Sequence, residues 1–556
     1  MSIEETTMQW QTQKDASNFQ LEERQRWIPP LPYEHFTVDL KSQPEVLKAT
    51  DMYQRGLEEI VPEQIDIFAN FGMIGNTDGG GMVAFCLSTG DFAIGVNASY
   101  TMVITRKGDI KALRVGEPYL LDGSLHARRY AAIQPFNSST FMMIAADTKN
   151  ETIDASHNRI LLWDFVTGRE EFVPYNGSST TTLDSHDILY IPKTDSFLVA
   201  ETTDNTTSLI NWSRKTQQNI WVLDFHDLNI PADIYDRGFH INKFQLIHEN
   251  LILVNSRNVG TVYFIQIDEK GNGKIRTVYG GPSSDAEFYD IAGGKVLSLW
   301  ERFTHNTEVF FSPGHQQDLE SPHTFMTFDN AADFKGCLHS TRFLEYQCIT
   351  KDQRLVCSES WEWSTGDRAQ IFGDADLLPS GNILGTSWGG YVDPSDLNQE
   401  GYHCHVYEVT RAKDTAWSLS VKPYWSSSMS SDPSEAYYRV DGEAPLGWSL
   451  YSAENIYSEP IVQGLSWDSV SEAFTFTAFN THRTSHQSPA VIKVETSFGE
   501  MIYHENILLN EMWLPSRVEL HAASLTQHFL NMKVLHFILE NEWGYLSKKY
   551  SIWAEK

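Results

Sequence analysis

One stretch of the chain brings an imidazole, a carboxamide and a guanidinium within reach of a single point. Residues 239–257 read F-H-I-N-K-F-Q-L-I-H-E-N-L-I-L-V-N-S-R. In an extended segment side chains alternate, so His240 and Asn242 fall on the same side. The apolar run 251–254 reads as a buried strand, and Ser256-Arg257 places a cation at its exit. A hairpin built this way can aim all three groups at a tetrahedral oxyanion such as sulfate or phosphate. A polar hairpin with a surface arginine would use the same residue types.

The elements that must position these groups are strands. From Gly75 onward short apolar runs alternate with turn pairs such as Lys107-Gly108, Thr167-Gly168, Lys270-Gly271 and Ser380-Gly381, and helical periodicity is scarce. A loose repeat runs through them. Segments starting at Ala131, His186, Asn242 and Asp374 resemble one another, with weaker copies near Ala286 and Gly464. The copies fall roughly 45 to 90 residues apart, which brackets one four-stranded blade. The expected fold is all-β, a six-bladed β-propeller over residues 76–556 in which 505–556 close or cap the ring. Residues 1–75 form an N-terminal extension packed on it, with a short helix over 20–27 and another over 44–59. A two-domain sandwich explains the repeat less well. The template puts His186 with Asp187, His240 with Asn242, and Asp374 with Asp376 at the inner ends of blades. Gly314-His315-Gln316 and Phe328-Asp329-Asn330 are further candidates.

Bulk properties narrow the function. The chain has 556 residues, 41% of them apolar, with a net charge of -31. Such acidity argues against nucleic acid or an anionic membrane as the main partner, but permits a local basic site for a small anion. The five cysteines include no C-x-x-C pair, so no structural metal site is expected. One disulfide among Cys337, Cys348 and Cys357 suits an oxidising compartment. Residues 1–26 lack the apolar core of a signal peptide, and no apolar run reaches membrane-spanning length. As written the chain reads as cytoplasmic, while sequons at Asn97, Asn137, Asn150, Asn176, Asn205 and Asn211 leave secretion open. There is no G-x-x-x-x-G-K-[ST] loop for a nucleotide donor and no G-x-S-x-G elbow for a serine hydrolase.

The order His186-Asp187, His240-x-Asn242, Asn255-Ser256-Arg257, Gly280-Gly281, Gly314-His315-Gln316, Phe328-Asp329-Asn330 and 378–382 (L-P-S-G-N) resembles the arylsulfate sulfotransferases. Ser185 and Gln316 stand where that family often has His and Asp. The resemblance spans roughly residues 90 to 420 and implies a six-bladed propeller. It also implies transfer of a sulfuryl group from an aryl sulfate to a phenol, with no cofactor and no metal. His315 matches the nucleophile that carries the group. His186 and His240 match the imidazoles that touch it and handle protons. Asn242 and Arg257 match the donors that hold its oxygens. A covalent relay of this kind predicts ping-pong kinetics. The alternative is a non-catalytic propeller that binds a ligand or a partner protein.

Overall fold

The computed structural model describes residues 34–53, 61–62, 65–74, 81–91, 95–121, 124–146, 159–175, 182–202, 207–231, 239–296, 303, 305–311, 319, 322–330, 341–367, 369, 372–392, 400–421 and 448–553. The helix expected over 20–27 lies outside them. The fold is all-β, with strands grouped in eight sheets and a helix at Pro44–Tyr53.

In six of the sheets among the described residues, most strands pair antiparallel with a strand next to them in sequence. Four begin with Thr182–Ile191, Ile241–His248, His305–Phe311 and Asp374–Leu377. A fifth begins with the short strands Arg129–Tyr130 and Gln134–Pro135 beside Thr140–Ala146. In the sixth, Met82–Asp91 and Gly95–Thr105 take their inner neighbour from far along the chain, the strand Trp448–Ile456. The first strands touch in order: Thr182–Ile191 against Ile241–His248, then His305–Phe311, then Asp374–Leu377, then Trp448–Ile456. Thr140–Ala146 lies against Thr182–Ile191, and Arg129–Tyr130 lies against the Met82 sheet, which completes the circuit of contacts.

Several pairings could not be read from local pattern. Glu34–Val38 and Ile65–Ala69, within the N-terminal segment, add to the outer edge of the Asp374 sheet beside Thr415–Val421. The copy near Ala286 is an edge strand parallel to Arg354–Ser364. The strand that joins the beginning of the sheet series to its end is Trp448–Ile456, not a segment in 505–556. Every residue of Trp448–Ile456 is buried, as a strand enclosed on both faces requires, whereas Met501–Leu509 and Tyr550–Trp553 are largely half-exposed or exposed. Residues 505–553 instead belong to two C-terminal sheets, which with the helix Ala523–Met532 share one apolar core around Phe474, Ile492, Phe529 and Phe537. The repeat copy near Gly464 lies in that unit.

The first strands meet over charge. Asp187, Lys243, Glu308, Asp376 and Glu454 come one from each of five of them, and all are buried. Arg483, which follows the C-terminal strand Ala473–Phe479, enters this cluster. Its Nη1 lies 2.7 Å from Glu308 and 2.6 Å from Asp376, and its Nε donates to Glu454 at 3.1 Å. Lys243 Nζ lies 3.2 Å from Glu308 and 3.9 Å from Asp187. Burial pushes the Glu454 carboxyl up to about 7 and Asp187 up to about 6, while Arg483 and Lys243 respectively pull them down. Two cations cannot neutralise every carboxylate here, so part of the set stays protonated at neutral pH.

Removing one member of a buried ion cluster strands the others. Arg483→Met should cost about 3–5 kcal/mol in denaturant unfolding; a loss under about 1 kcal/mol would mean the cluster relaxes or hydrates instead. A second expectation concerns acid. His482 is buried beside Trp543, and burial, reinforced by His486, pushes its pKa down to about 3. The unfolded imidazole protonates near 6.5 and the native one does not, so this contribution is full above pH 6.5 and shrinks as pH falls towards 3. Urea unfolding at pH 7, 6, 5 and 4 should show a shallower acid slope for His482→Gln, by up to about 1.4 kcal/mol per pH unit.

Candidate active site

The hairpin Ile241–His248/Leu251–Ser256 pairs Ile241 with Ser256, and the Arg257 amide donates to the His240 carbonyl at 2.9 Å. His240 and Arg257 therefore sit in neighbouring rows at one end of the hairpin. Gly280 and Gly281, which close the far strand of this sheet, both have positive φ (72° and 63°). A Cβ at Gly280 would lie 2.5 Å from the Gly260 carbonyl oxygen, and one at Gly281 would lie 2.1 Å from Thr261 Oγ1. These glycines let the chain pass close beneath the turn that follows Arg257.

His186 comes from the adjacent sheet. Its Nε2 lies 3.2 Å from His240 Nε2, and the rings meet edge to face with centroids 4.5 Å apart. The other nitrogen, Nδ1, bonds Asp184 Oδ1, which also accepts from the His186 amide at 2.8 Å. Burial alone would raise the Asp184 carboxyl, but His186 and then His240 outweigh it and hold the pKa below the usual range. Asp184 stays ionised and accepts the hydrogen bond from His186 Nδ1, which leaves Nε2 facing His240. The result is a carboxylate–imidazole–imidazole chain.

Tyr451, from the strand Trp448–Ile456, caps this chain. Its ring lies 5.3 Å from His186 and 5.5 Å from Phe372. Its hydroxyl donates to the Asn242 carbonyl and to Asn306 Oδ1, at 3.3 Å each. Burial, then Asp187 and Asp184, raise the phenol far above its ordinary pKa; Arg257 is close enough to pull the other way. A second guanidinium, Arg129, stacks over Phe372 at 5.2 Å, and desolvation pushes its pKa down to about 10, with Cys86 and Tyr451 opposing. Backbone strain collects around the same tyrosine. Asn306 has φ 29° and Phe372 has φ 62°, a conformation that is costly for a bulky aromatic residue and tends to occur at functional sites.

Of the residues expected from sequence, His186 and the Asn242 carbonyl contact Tyr451, His240 contacts His186, and Arg257 joins His240 through its backbone amide. Asn242 is fully buried and contributes its carbonyl to that contact. His315 lies outside the described residues. His305 begins the first strand of the next sheet, and the residue after it is the Asn306 that reaches Tyr451. Sequence reasoning passed over Asp184, Arg129 and Tyr451. Asp184-x-His186 carried a usable signal, since i and i+2 share a strand face. Tyr451 carried none, because its partners are far away in the chain.

A trio with the geometry to hold a metal ion also occurs among the described residues, where no metal site was expected. Asp367, His403 and His405 present ligand atoms within 4.8 Å of one another. Cys348 and Cys357, opposite one another on paired strands, form a disulfide; Cys337 lies outside the described residues.

No protein-family model matches the chain, and no curated protein does. Solved structures give weak overall matches. The Dos1 propeller is 13% identical with a TM-score of 0.26, over 62% of this chain and 79% of that one. The Vanderwaltozyma polyspora Nup133 β-propeller domain is 10% identical with a TM-score of 0.28, over 76% and 100%. The Pseudomonas aeruginosa periplasmic gluconolactonase PpgL is 11% identical with a TM-score of 0.26, over 74% and 96%. No helix of the described residues is long and apolar enough to cross a membrane.

Tyr451→Phe removes the hydroxyl shared by Asn242 and Asn306. It should lower stability by about 1–3 kcal/mol, the cost of leaving a buried acceptor unpaired. Equal urea midpoints for the variant and the native protein would show that the hydroxyl bonds contribute nothing.

Proposed function

We propose that the six sheets are the blades of a β-propeller and that the protein transfers a sulfuryl group from an aryl sulfate to a phenolic acceptor. The propeller reading rests on the unbroken circuit of first-strand contacts and on the pairing of Met82–Asp91 with Trp448–Ile456. The functional reading rests on the Asp184–His186–His240 chain beside Arg257.

In the first half-reaction a histidine nitrogen attacks sulfur, the S–O bond to the aryl oxygen breaks, and phenoxide leaves. The proton for that phenoxide comes from the imidazole pair. In the second half-reaction an acceptor phenol gives its proton back to the pair and attacks the sulfo-histidine. Arg257, with Arg129 nearby, would balance charge growing on the sulfuryl and aryl oxygens. Asp184 stabilises the imidazolium form of His186 without taking its proton, as a carboxylate does in other acid–base chains. His315 is the nucleophile by resemblance; His305 is the rival by its position at the head of a first strand.

A non-catalytic binding propeller is the second reading. The buried cluster around Arg483 and Lys243 favours it, because charged side chains there fill the centre of the six sheets. A cavity of about 20 Å³ beside Lys243, Gln134 and Arg483 holds no more than about one water. The disulfide and the sequons favour an oxidising compartment over the cytoplasm.

The deciding assay follows release of 4-nitrophenol from its sulfate in the presence of a phenol. Turnover should be measurable and ping-pong. Arg257→Ala should lose about 10²- to 10³-fold in kcat. Either His315→Ala or His305→Ala should abolish accumulation of the sulfo-histidine, detected by intact mass. Tight binding of the aryl sulfate with no turnover would replace the transferase by the binding propeller. No binding of either substrate would remove both.

A further inference from the structure

The strand Glu400–Val409 carries His403 and His405 two residues apart, so both imidazoles leave the same face. They lie edge to face with centroids 4.1 Å apart, and Tyr407, the next residue on that face, stacks on His405. Asp367 reaches them from the connection between Arg354–Ser364 and Asp374–Leu377. Its two oxygens have different surroundings. Oδ1 accepts from the hydroxyls of Thr365 and Ser387, the latter at 3.1 Å. Oδ2 faces His403 Nε2 at 3.5 Å. Two donors about 2.1 Å from one tetrahedral ion are themselves about 3.4 Å apart, so this spacing is that of two ligands on one ion.

The neighbouring strand leaves room for the carboxylate. Gly389 pairs with His403, and a Cβ there would lie 2.6 Å from Asp367 Oδ2. Any larger residue would push the oxygen off the histidines. Thr365 and Ser387 hold the remaining oxygen in the way that outer hydrogen-bond partners usually orient metal ligands. The Asp367 and His403 side chains are each 16% exposed, while the atoms that face one another, Oδ2 and Nε2, are shielded from solvent.

We propose that Asp367, His403 and His405 bind a first-row divalent cation, Zn²⁺ or a close relative. Two imidazoles and one carboxylate suit such ions and are a poor match for Ca²⁺ or Mg²⁺, which prefer oxygen-only shells. The trio leaves at least one position on the ion for water or a ligand. Phe372, a few residues after Asp367 in sequence, packs on Tyr451, which in turn packs on His186.

The test uses the full chain, stripped with chelator and titrated with Co²⁺ alone. Wild type should bind about one equivalent, with the visible absorption of low-coordinate cobalt, and Zn²⁺ should displace it. His403→Gln with His405→Gln should lose the signal. Ser387→Ala should weaken binding about tenfold to a hundredfold with the ligands intact, and Gly389→Ala should do likewise by displacing Oδ2. Absence of cobalt absorption and of Zn²⁺ binding in wild type overturns the site. So does a double variant that stays folded by circular dichroism and binds as tightly as wild type. These readouts are independent of sulfuryl transfer.

Discussion

Everything near the centre of this molecule answers to one constraint: charges removed from water must find partners. Arg483 brings a guanidinium from the C-terminal unit into a set of carboxylates on the first strands of separate sheets. Lys243 does the same from inside the set. A carboxylate moved to the interior alone would be lost to protonation or would unfold its strand. Together the groups tie five of the first strands to one another and, through Arg483, the C-terminal unit to three of them. An apolar plug of equal volume would avoid the desolvation penalty that this cluster carries, so its net stabilisation is small compared with the cost of breaking it.

The candidate site lies next to that cluster and borrows its order. Asp187 accepts from the Phe244 amide at 3.1 Å, locking the Thr182 and Ile241 strands at the level where His186 and His240 meet. The two imidazoles come from different sheets, so their 3.2 Å spacing is a property of how the sheets pack. Tyr451 extends this to a third sheet and Asn306 to a fourth. The positive φ values at Asn306 and Phe372 show the backbone bent out of its preferred wells to make those contacts. Only a rigid surround holds such conformations in place.

The overall acidity of the chain bears on the anionic ligand proposed for this site. A net charge of -31 repels anions at long range, but salt screens that field within about 10 Å. Around Tyr451 the guanidinium groups of Arg257 and Arg129 stand against the carboxylates of Asp187, Asp184 and Asp374. Local sign, more than net charge, decides what can bind there.

Local sequence determined the strands and one hairpin. Alternation and turn pairs marked most of the strands after Gly75. The short span 239–257 was enough to put His240, Asn242 and Arg257 in one place, because residues across a tight hairpin have few alternative neighbours. His186, one sheet and 54 residues earlier, could be suspected from the repeat, since repetition carries position from sheet to sheet. Tertiary structure alone decided the rest. Tyr451, Arg129, Arg483 and Asp367 meet partners scores to hundreds of residues distant, and no spacing rule encodes a contact made only when sheets pack side by side. The same reason explains the inner strand at Trp448–Ile456: a strand's affinity for its neighbours is written in its pattern, but which neighbour it finds depends on the path of the whole chain.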